Sequence, residues 1–599
     1  MKIFLKTLLV VGALALAFVA GREFFASEKS WEEKIVQTHA RLDADDYAGA
    51  EKMARRAVRA AEKSKGAASE SVAKALILLA YAQAGQGKHA ESLATNLRAA
   101  EILEKREGNS PDALLLHAWE SVAMARIALG QTAEALPLLR RVLAEQDRLS
   151  GADSGDVQRV LLNLGEQEFA AGNTRTAEHL ALRALSLAEE TKIGRGAAAQ
   201  QLGSISLAQG NLSAAEENLQ NALRAYAQEA GTGSLETSYV LQLLAWGKMN
   251  QGEFSSAETL LQRAKEIAQN ARQGKEAELA HVMTNLAGLA WWREDFSQAE
   301  ENLAEARRWL DAMPKGAAFD RGFLLEQAFA LRIARDDLAG AEGLLKEMQS
   351  RPAQTAGESL PLHLLQAGLL SLQGKFAESA QLYQQAEQQL AAQESASPWD
   401  RLTVAEGLGR VRLEQGDFRR AEENFRQAVN IAEAILKNAP RQSDGKDAQL
   451  PALFSPLNGL GESLLEQGKL AAAEEIGDRA EKLARTIWGE DSLAMAEVRM
   501  TAALLQMKRE ENTAAEAMLR MALATCEKRL GENHSVTAFG LFRLAEIHLA
   551  QRNFSAATET AEKALAVQEK ILGAKHPAAG ETSALLERIR AEETRTAEQ

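Results

Sequence analysis

The stretch LGRVRLEQGDFRRAEENFRQAV, Leu408–Val429, decides the fold of this chain. Apolar residues recur every three or four positions on both sides of Gly416, which predicts two helices joined by a tight turn. Small residues stand at fixed places, Gly409 in the first helix and Ala421 and Ala428 in the second. Antiparallel helices approach to about 8–10 Å only where side chains at their crossing are small. The stretch therefore predicts one compact helix–turn–helix unit.

The same pattern recurs along the chain. The turn position occurs thirteen times, and eight of the twelve intervals are 42 residues. Five residues after it stands Ala or Ser, and seven residues before it stands Gly or Ala in eleven of the thirteen cases. Chance composition does not place small residues at fixed offsets in thirteen successive segments, so we predict thirteen units. The turn positions are Asp45, Gly87, Gly130, Gly172, Gly210, Gly252, Glu294, Asp336, Gly374, Gly416, Gly468, Glu510 and Arg552.

These units resemble tetratricopeptide repeats, which share the Leu-Gly pair, the Gly-x-aromatic turn and the spacing of Ala and Phe seen around Gly416. A period of 42 residues is longer than the common repeat of about 34. The segments Arg520–Leu530 and Glu562–Leu572, each followed by Gly, resemble the long repeats of kinesin light chains. The resemblance implies an all-α, right-handed superhelix (an α-solenoid) that binds other proteins. No motor role is implied, because no heptad coiled coil precedes the array.

The units divide the chain into segments. Repeats one to ten are expected over residues 31–437 and repeats eleven to thirteen over residues 457–577. Between them, residues 438–456 contain three prolines, which do not continue a helix, so we predict an insertion loop there. Residues 578–599 are expected to form a C-terminal capping helix that ends in a polar tail of nine residues.

Residues 1–21 are different in kind. Lys2 and Lys6 precede an apolar run from Leu8 to Gly21, the pattern of a signal peptide or of an N-terminal membrane anchor. Fourteen helical residues span about 21 Å, short of the ~30 Å hydrocarbon core, although an anchor counted from Ile3 would be longer. The positive charges before the run predict a body outside the cytoplasm, in the cell envelope (periplasmic or extracytoplasmic). The alternative is a buried helix packed on the first repeat.

Composition narrows the range of partners. The chain has 599 residues, a formal net charge of −14 and no basic run, which argues against nucleic acid as the main partner. Only 5% of its residues are aromatic, and this suits a stacked array better than one large core. We therefore expect a protein or peptide partner of unknown identity, no nucleic acid, and contact with a membrane only through residues 1–21. The oligomeric state stays open.

No constellation for catalysis, a metal or a cofactor stands out. The lone Cys526 lies on the apolar side of a predicted helix and is expected to be a buried core residue. The histidines are scattered without paired ligand spacing, so no metal site is predicted. The segment Gly194–Ala199 matches a loose dinucleotide pattern but lies between two helices, whereas that chemistry needs a preceding strand. We predict a protein that is not an enzyme and holds no cofactor.

The resemblance places the binding groove on the first helices, at three columns that lie 13, 10 and 6 residues before the turn. The family's carboxylate clamp requires Lys and Asn at two groove positions, which no unit here has. Units six to eight carry aromatic residues and a histidine instead, and we predict that these groove residues bind a peptide. They are Tyr239, Trp246, His281, Trp292 and Phe323. The alternative is that the rings only fill a wide place in an Ala-rich stack.

The function predicted from the sequence is a non-enzymatic scaffold, exported or membrane-anchored, that binds a protein or peptide on the concave face. The alternative is a structural or assembly protein that associates with itself through its repeats. The sequence names neither the partner nor the pathway.

Overall fold

A computed structural model describes residues 31–106, 111–150, 155–191, 194–229, 231–271, 274–313, 321–350, 359–393, 396–441 and 448–598. Within these ranges the chain forms 27 α-helices and no strand, which confirms the predicted all-α repeat fold. The predicted signal or anchor segment, residues 1–21, lies outside the described residues. Among the described helices, none combines the length and the hydropathy that a membrane crossing needs.

Thirteen helix pairs follow one another, and we number them as units one to thirteen. The first helices are α1 (Glu32–Asp43), α3 (Glu70–Gly85), α5 (Ala113–Ala128), α7 (Gly155–Ala170), α9 (Arg195–Ala208), α11 (Leu235–Asn250), α13 (Lys275–Trp292), α15 (Gly322–Ala334), α17 (Ser359–Leu372), α19 (Pro398–Glu414), α21 (Phe454–Glu466), α23 (Leu493–Lys508) and α25 (Ser535–Ala550). The second helices are α2 (Tyr47–Lys65), α4 (His89–Glu104), α6 (Thr132–Ser150), α8 (Thr174–Thr191), α10 (Leu212–Glu229), α12 (Phe254–Asn270), α14 (Phe296–Asp311), α16 (Leu338–Gln349), α18 (Phe376–Ala391), α20 (Phe418–Lys437), α22 (Leu470–Ile487), α24 (Asn512–Leu530) and α26 (Phe554–Ile571). A last helix, α27 (Pro577–Glu598), packs on α26 and closes the array.

The turn inside each unit has one backbone geometry. All thirteen predicted turn positions have a φ between 55° and 83°, the left-handed region that Gly enters most easily. Eight of them are Gly. The other five are the only described residues other than Gly with positive φ, and they are Asp45, Glu294, Asp336, Glu510 and Arg552. An L-residue pays a steric penalty at such an angle, so a side chain that occurs there needs a reason of its own.

Small residues at the helix crossings allow the close packing that the sequence predicts. Ala421 and Phe425 of α20 are fully buried. The Phe425 ring lies between two glycines of the neighbouring first helices, because a methyl group added at Gly409 would lie 2.9 Å from it and one added at Gly459 would lie 2.4 Å from it. One large ring thus fills the space that two absent side chains leave.

Two boundaries differ from the sequence prediction. After the insertion, a 3₁₀ turn at Pro451–Leu453 leads into α21 at Phe454, so the loop ends before residue 456. Pro456 is tolerated because it lies in the first helical turn, where the backbone N–H has no partner within the helix. At the other end α27 continues to Glu598, so most of the predicted polar tail is helical. The good helix formers Ala, Glu and Arg fill that segment.

The array touches itself one superhelical turn later. The turns of units five to nine meet the starts or ends of units ten to thirteen and the start of α27, about 200 residues further along the chain, and we call this contact zone the seam. Its contacts include Trp399 Nε1 to Leu207 O (2.9 Å), Ser397 Oγ to Ala208 O (3.1 Å), Gly252 beside Ile487, Trp488 Nε1 to Trp292 O (2.7 Å), Leu493 N to Glu294 Oε2 (2.7 Å), Ser535 N to Asp336 Oδ2 (2.5 Å) and Gly374 beside Pro577. One superhelical turn therefore takes five units.

Candidate functional site

The first helices of successive units lie side by side and form the concave face of the array. Interactions between carboxylates on different first helices support this arrangement. Burial raises the pKa of Glu414 in α19, the charge of Arg410 lowers it, and the charges of Glu462 in α21 and Glu581 in α27 raise it. Carboxylates from units ten and eleven and from the closing helix thus interact with one another, and we call the face of the first helices that carries them the groove.

Tyr239 in α11 is the most open of the five predicted site residues. Its side chain is 43% exposed, although most large apolar residues of the first helices are buried. Burial of its surroundings raises the pKa of the Tyr239 hydroxyl, and the charges of Glu166 and Glu278 add to this shift. The ring therefore meets solvent while neighbouring helices surround its hydroxyl, as expected for a side chain inside a groove.

His281 and Phe323 stand on the same column as Tyr239, thirteen residues before their own turns. Both are half-buried, and they lie on α13, which packs beside α11, and on α15, which packs beside α13. The structure thus brings Tyr239, His281 and Phe323 onto three adjacent helices of the groove.

Trp246 and Trp292 lie elsewhere, at the seam. The Trp246 ring packs edge-to-face on Trp399 of unit ten, with ring centroids 5.7 Å apart. The Trp292 ring packs on Trp291, and its backbone carbonyl accepts a hydrogen bond from Trp488. These contacts give the two tryptophans a packing role, so the predicted strip divides into three groove residues and two seam residues. Peptide binding by any of the five stays a prediction.

A buried carboxyl lies beside the three groove residues. Glu278 of α13 is 8% exposed, and its Oε1 accepts hydrogen bonds from Ser238 Oγ (2.6 Å) and Gln242 Nε2 (2.7 Å). The Gln242 carbonyl in turn accepts a hydrogen bond from Asn285 Nδ2 at 3.0 Å. Burial raises the pKa of Glu278 to about 7, against the two hydrogen bonds that favour its charged form. This chain of polar groups fixes the side chains of α11 against α13 next to Tyr239.

A second polar network lines the groove at units ten to twelve, and the sequence reading missed it. Arg410 Nη1 donates to Glu462 Oε2 (2.9 Å), Asn458 Nδ2 donates to Glu462 Oε1 (3.0 Å), and Thr501 Oγ1 donates to Asn458 Oδ1 (2.9 Å). Burial raises the pKa of the neighbouring Glu497 to about 7. Most of these residues occupy the groove columns, so the column rule could have found them.

Unit thirteen carries a further pair of groove aromatics. Phe539 and Phe542 stand 13 and 10 residues before the turn at Arg552, and Phe539 is 44% exposed. The Arg543 guanidinium lies over both rings, 5.1 Å from the centroid of Phe539 and 5.6 Å from that of Phe542. The same columns that select Tyr239 in unit six select these residues in unit thirteen, although the predicted peptide site was confined to units six to eight.

The described residues do not form a recognisable metal or nucleotide site. Within them no group of three or more His, Cys, Asp or Glu side chains is placed to hold a metal ion. Cys526 is fully buried, as predicted, and burial raises the pKa of its thiol to about 12. Gly194 has φ 69° and precedes α9, so the loose dinucleotide pattern is a junction between two helices.

Comparisons with known proteins bear on the repeats. Residues 502–535 and 543–578, in units twelve and thirteen, match the sequence model of the tetratricopeptide repeat family. No curated protein matches the chain. Similar solved structures are TPR-like repeats ascribed to a Podosopora anserina kinesin light chain (21% identity, 33% of this chain, 95% of that chain, TM-score 0.30), the APC/C hetero-tetramer Cut9–Hcn1 (12%, 94%, 97%, 0.44) and a tetratricopeptide repeat protein from Parabacteroides merdae (16%, 51%, 100%, 0.37).

Proposed function

We propose that this chain, whose units twelve and thirteen match the tetratricopeptide repeat model, is a non-enzymatic scaffold that binds a protein or peptide in its groove. Nearest-neighbour stacking of helix pairs builds a long concave surface and leaves the side chains on that surface free to vary. The ordered polar networks of the groove hold their side chains in place before a partner arrives, which lowers the entropy lost on binding.

One observation carries the proposal, namely that large aromatic rings stand open on the groove columns. Tyr239 and Phe539 are 43% and 44% exposed and occupy the same column in units six and thirteen. Packing of the array does not need rings there, because the column holds Ala197 in unit five and Thr403 in unit ten. Aromatic side chains in concave surfaces are frequent anchors for a bound peptide.

Site-specific photocrosslinking in the native cell tests the proposal. A photoreactive residue at Tyr239 or at Phe539 should capture the same partner. Controls at Leu182 and Met521, which are 51% and 55% exposed on second helices outside the groove, should not capture it. The partner should then bind the purified chain, with affinity reduced at least about tenfold by Tyr239→Ala, as expected for an anchor worth about 1.4 kcal/mol or more. Equal capture from all four positions would contradict groove binding.

For the location of the protein we propose export, with residues 1–21 as a signal peptide or membrane anchor. The support is the order of Lys2, Lys6 and the apolar run from Leu8 to Gly21. A reporter enzyme that works only outside the cytoplasm, fused after Gln599, should be active. Replacing Leu8–Gly21 with a polar sequence of equal length is the control and should abolish that activity. A reporter that is active only in the cytoplasm would refute the export proposal.

A further inference from the structure

We propose that the seam is a releasable latch, set by the carboxylates of Glu294 and Asp336, that controls sideways access to the groove. The latch itself is inferred from the seam contacts alone, and its effect on access rests on the function proposed above.

Glu294 caps a helix that begins 199 residues later. Its Oε2 accepts a hydrogen bond from Leu493 N at 2.7 Å and its Oε1 accepts one from Ala494 N at 3.1 Å. These are the first backbone N–H groups of α23, which have no partner within their own helix. A carboxylate at a helix N-terminus is also favoured by the helix dipole. The contact joins unit seven to unit twelve through charge-assisted bonds.

Asp336 repeats the arrangement one unit later. Its Oδ2 accepts from Ser535 N and its Oδ1 accepts from Ser535 Oγ at 2.7 Å, at the start of α25. His534 completes the contact. With its proton on Nε2, the ring donates to Ala334 O (3.2 Å), and Nδ1 accepts from Val536 N (3.2 Å). Two successive turns are therefore fastened to two successive helix starts.

The position of the two acids separates their role from that of the turn itself. Glu294 and Asp336 have φ of 59° and 57°, where eight of the thirteen units have Gly. A turn alone is best served by Gly. Glu510 stands at the same turn position, with a φ of 64°. Its exposed side chain makes no hydrogen bond or ion pair with the described residues, so it is an acid at a turn without a seam contact. The carboxylates of units seven and eight therefore make seam bonds that the turn itself does not require.

The construction of the array makes this contact releasable. Elsewhere each unit contacts mainly its neighbours, so the superhelix behaves as a spring whose pitch is the sum of small rotations. At units five and six the seam also buries Leu212 and Ile435 in one apolar core, so that end stays closed. Opening the rest takes small changes over units seven to nine and leaves every helix pair intact. In the closed state, contact between successive turns of the superhelix blocks the groove from the side, so a partner enters only along the superhelix axis. In the open state a partner also reaches the same groove through the gap between successive turns of the superhelix.

Glycine substitution tests the latch without damaging the fold. Glu294→Gly combined with Asp336→Gly restores the residue preferred at the turn and removes the seam bonds, while Glu510→Gly makes the same exchange where no seam bond exists. Spin labels at the exposed Ala339 and Glu532, on either side of the Asp336 contact, report the gap, and the fully buried Cys526 stays unlabelled. The double variant should give a longer and broader distance distribution at unchanged helicity, and the control should match the parent. A double variant with the parent's distribution would overturn the latch.

Access is measured with reagents of two sizes, so that no partner is needed. A cysteine introduced as Tyr239→Cys should react with N-ethylmaleimide at one rate in all backgrounds, because a small reagent enters along the axis. Maleimide-linked polyethylene glycol should react several-fold faster in the Glu294→Gly and Asp336→Gly background than in the parent or in the Glu510→Gly control. Equal rates with the large reagent would overturn control of access, whatever the crosslinking experiments say about the scaffold function.

Discussion

Replacing Trp246 with Ala removes a ring that packs on Trp399 across the seam. The two ring centroids lie 5.7 Å apart at an interplanar angle of 74°, the edge-to-face geometry in which aromatic pairs attract. Trp399 is held in place on the other side, because its Nε1 donates to Leu207 O at 2.9 Å. Loss of Trp246 therefore acts on the contact between units six and ten as well as on its own helix.

The size of the effect follows from burial and ring geometry. Truncation of a fully buried Trp costs about 3–5 kcal/mol. Trp246 is only half-buried, so we expect about half of that cost, about 1.5–2.5 kcal/mol, from lost packing and about 0.5–1.5 kcal/mol from the aromatic pair. The sum is about 2–4 kcal/mol of local stability. Tyr239→Ala, two helical turns earlier on the same side of α11, should cost about 0.5 kcal/mol or less because the side chain is 43% exposed.

Amide hydrogen exchange measures this locally, which suits an array that does not unfold in one step. A loss of about 2 kcal/mol corresponds to roughly 30-fold faster exchange. It should appear in peptides from α11 and also in peptides from α19, which lie more than 140 residues further along the chain. A double-mutant cycle of Trp246→Ala with Trp399→Ala should return a coupling of about 0.5–1.5 kcal/mol.

A coupling near zero, or faster exchange confined to α11, would refute the assignment of Trp246 to the seam. If Trp246→Ala also weakened partner binding while Tyr239→Ala did not, the division of the predicted strip into groove and seam residues would be wrong.

Three further predictions concern packing and titration. Ala421→Leu should lower stability by about 1–3 kcal/mol in denaturant melts, because the site is fully buried at a helix crossing. Gly459→Ala should cost a similar amount, since its methyl group would lie 2.4 Å from the Phe425 ring, and the smaller side chain of Phe425→Leu should relieve part of that cost. The raised pKa of Glu278, about 7, means that the folded chain holds its proton longer, so this group's contribution to stability should fall as pH rises from about 4.5 to about 7. Glu278→Gln should remove that part of the pH dependence in melts between pH 4 and 8, and an unchanged slope would show that other groups cause it.

Much of the fold could be predicted from the sequence because it depends on local geometry. The positive φ at all thirteen turn positions follows from the turn that each unit must make, and the burial of Ala421 follows from the crossing beside it. Such features are set within about forty residues and recur, so a single chain displays them many times.

The seam could not be predicted from the sequence, because it depends on how the small rotations between successive units add up over five units. No local pattern tells that Trp246 will meet Trp399, or that Glu294 will reach Leu493. The sequence did show acids at turn positions where Gly is usual, but Glu510 makes no seam bond to any described residue and Gly252 and Gly374 lie at the seam, so that departure alone does not locate it. The column rule, in contrast, selects Tyr239, which the structure leaves 43% exposed, and the same rule selects Phe539 in unit thirteen.

A seam with a period of five units also limits how such a protein changes in evolution. Repeat arrays ordinarily gain or lose units without harm, because each unit touches only its neighbours. Here the loss of one unit between Glu294 and Leu493 would preserve every neighbour contact and yet pair each turn with the wrong helix start. The insertion after Lys437 lengthens the chain between units ten and eleven without altering that count. Length can therefore vary in the linkers, whereas the number of units between paired turns is inherited as a whole.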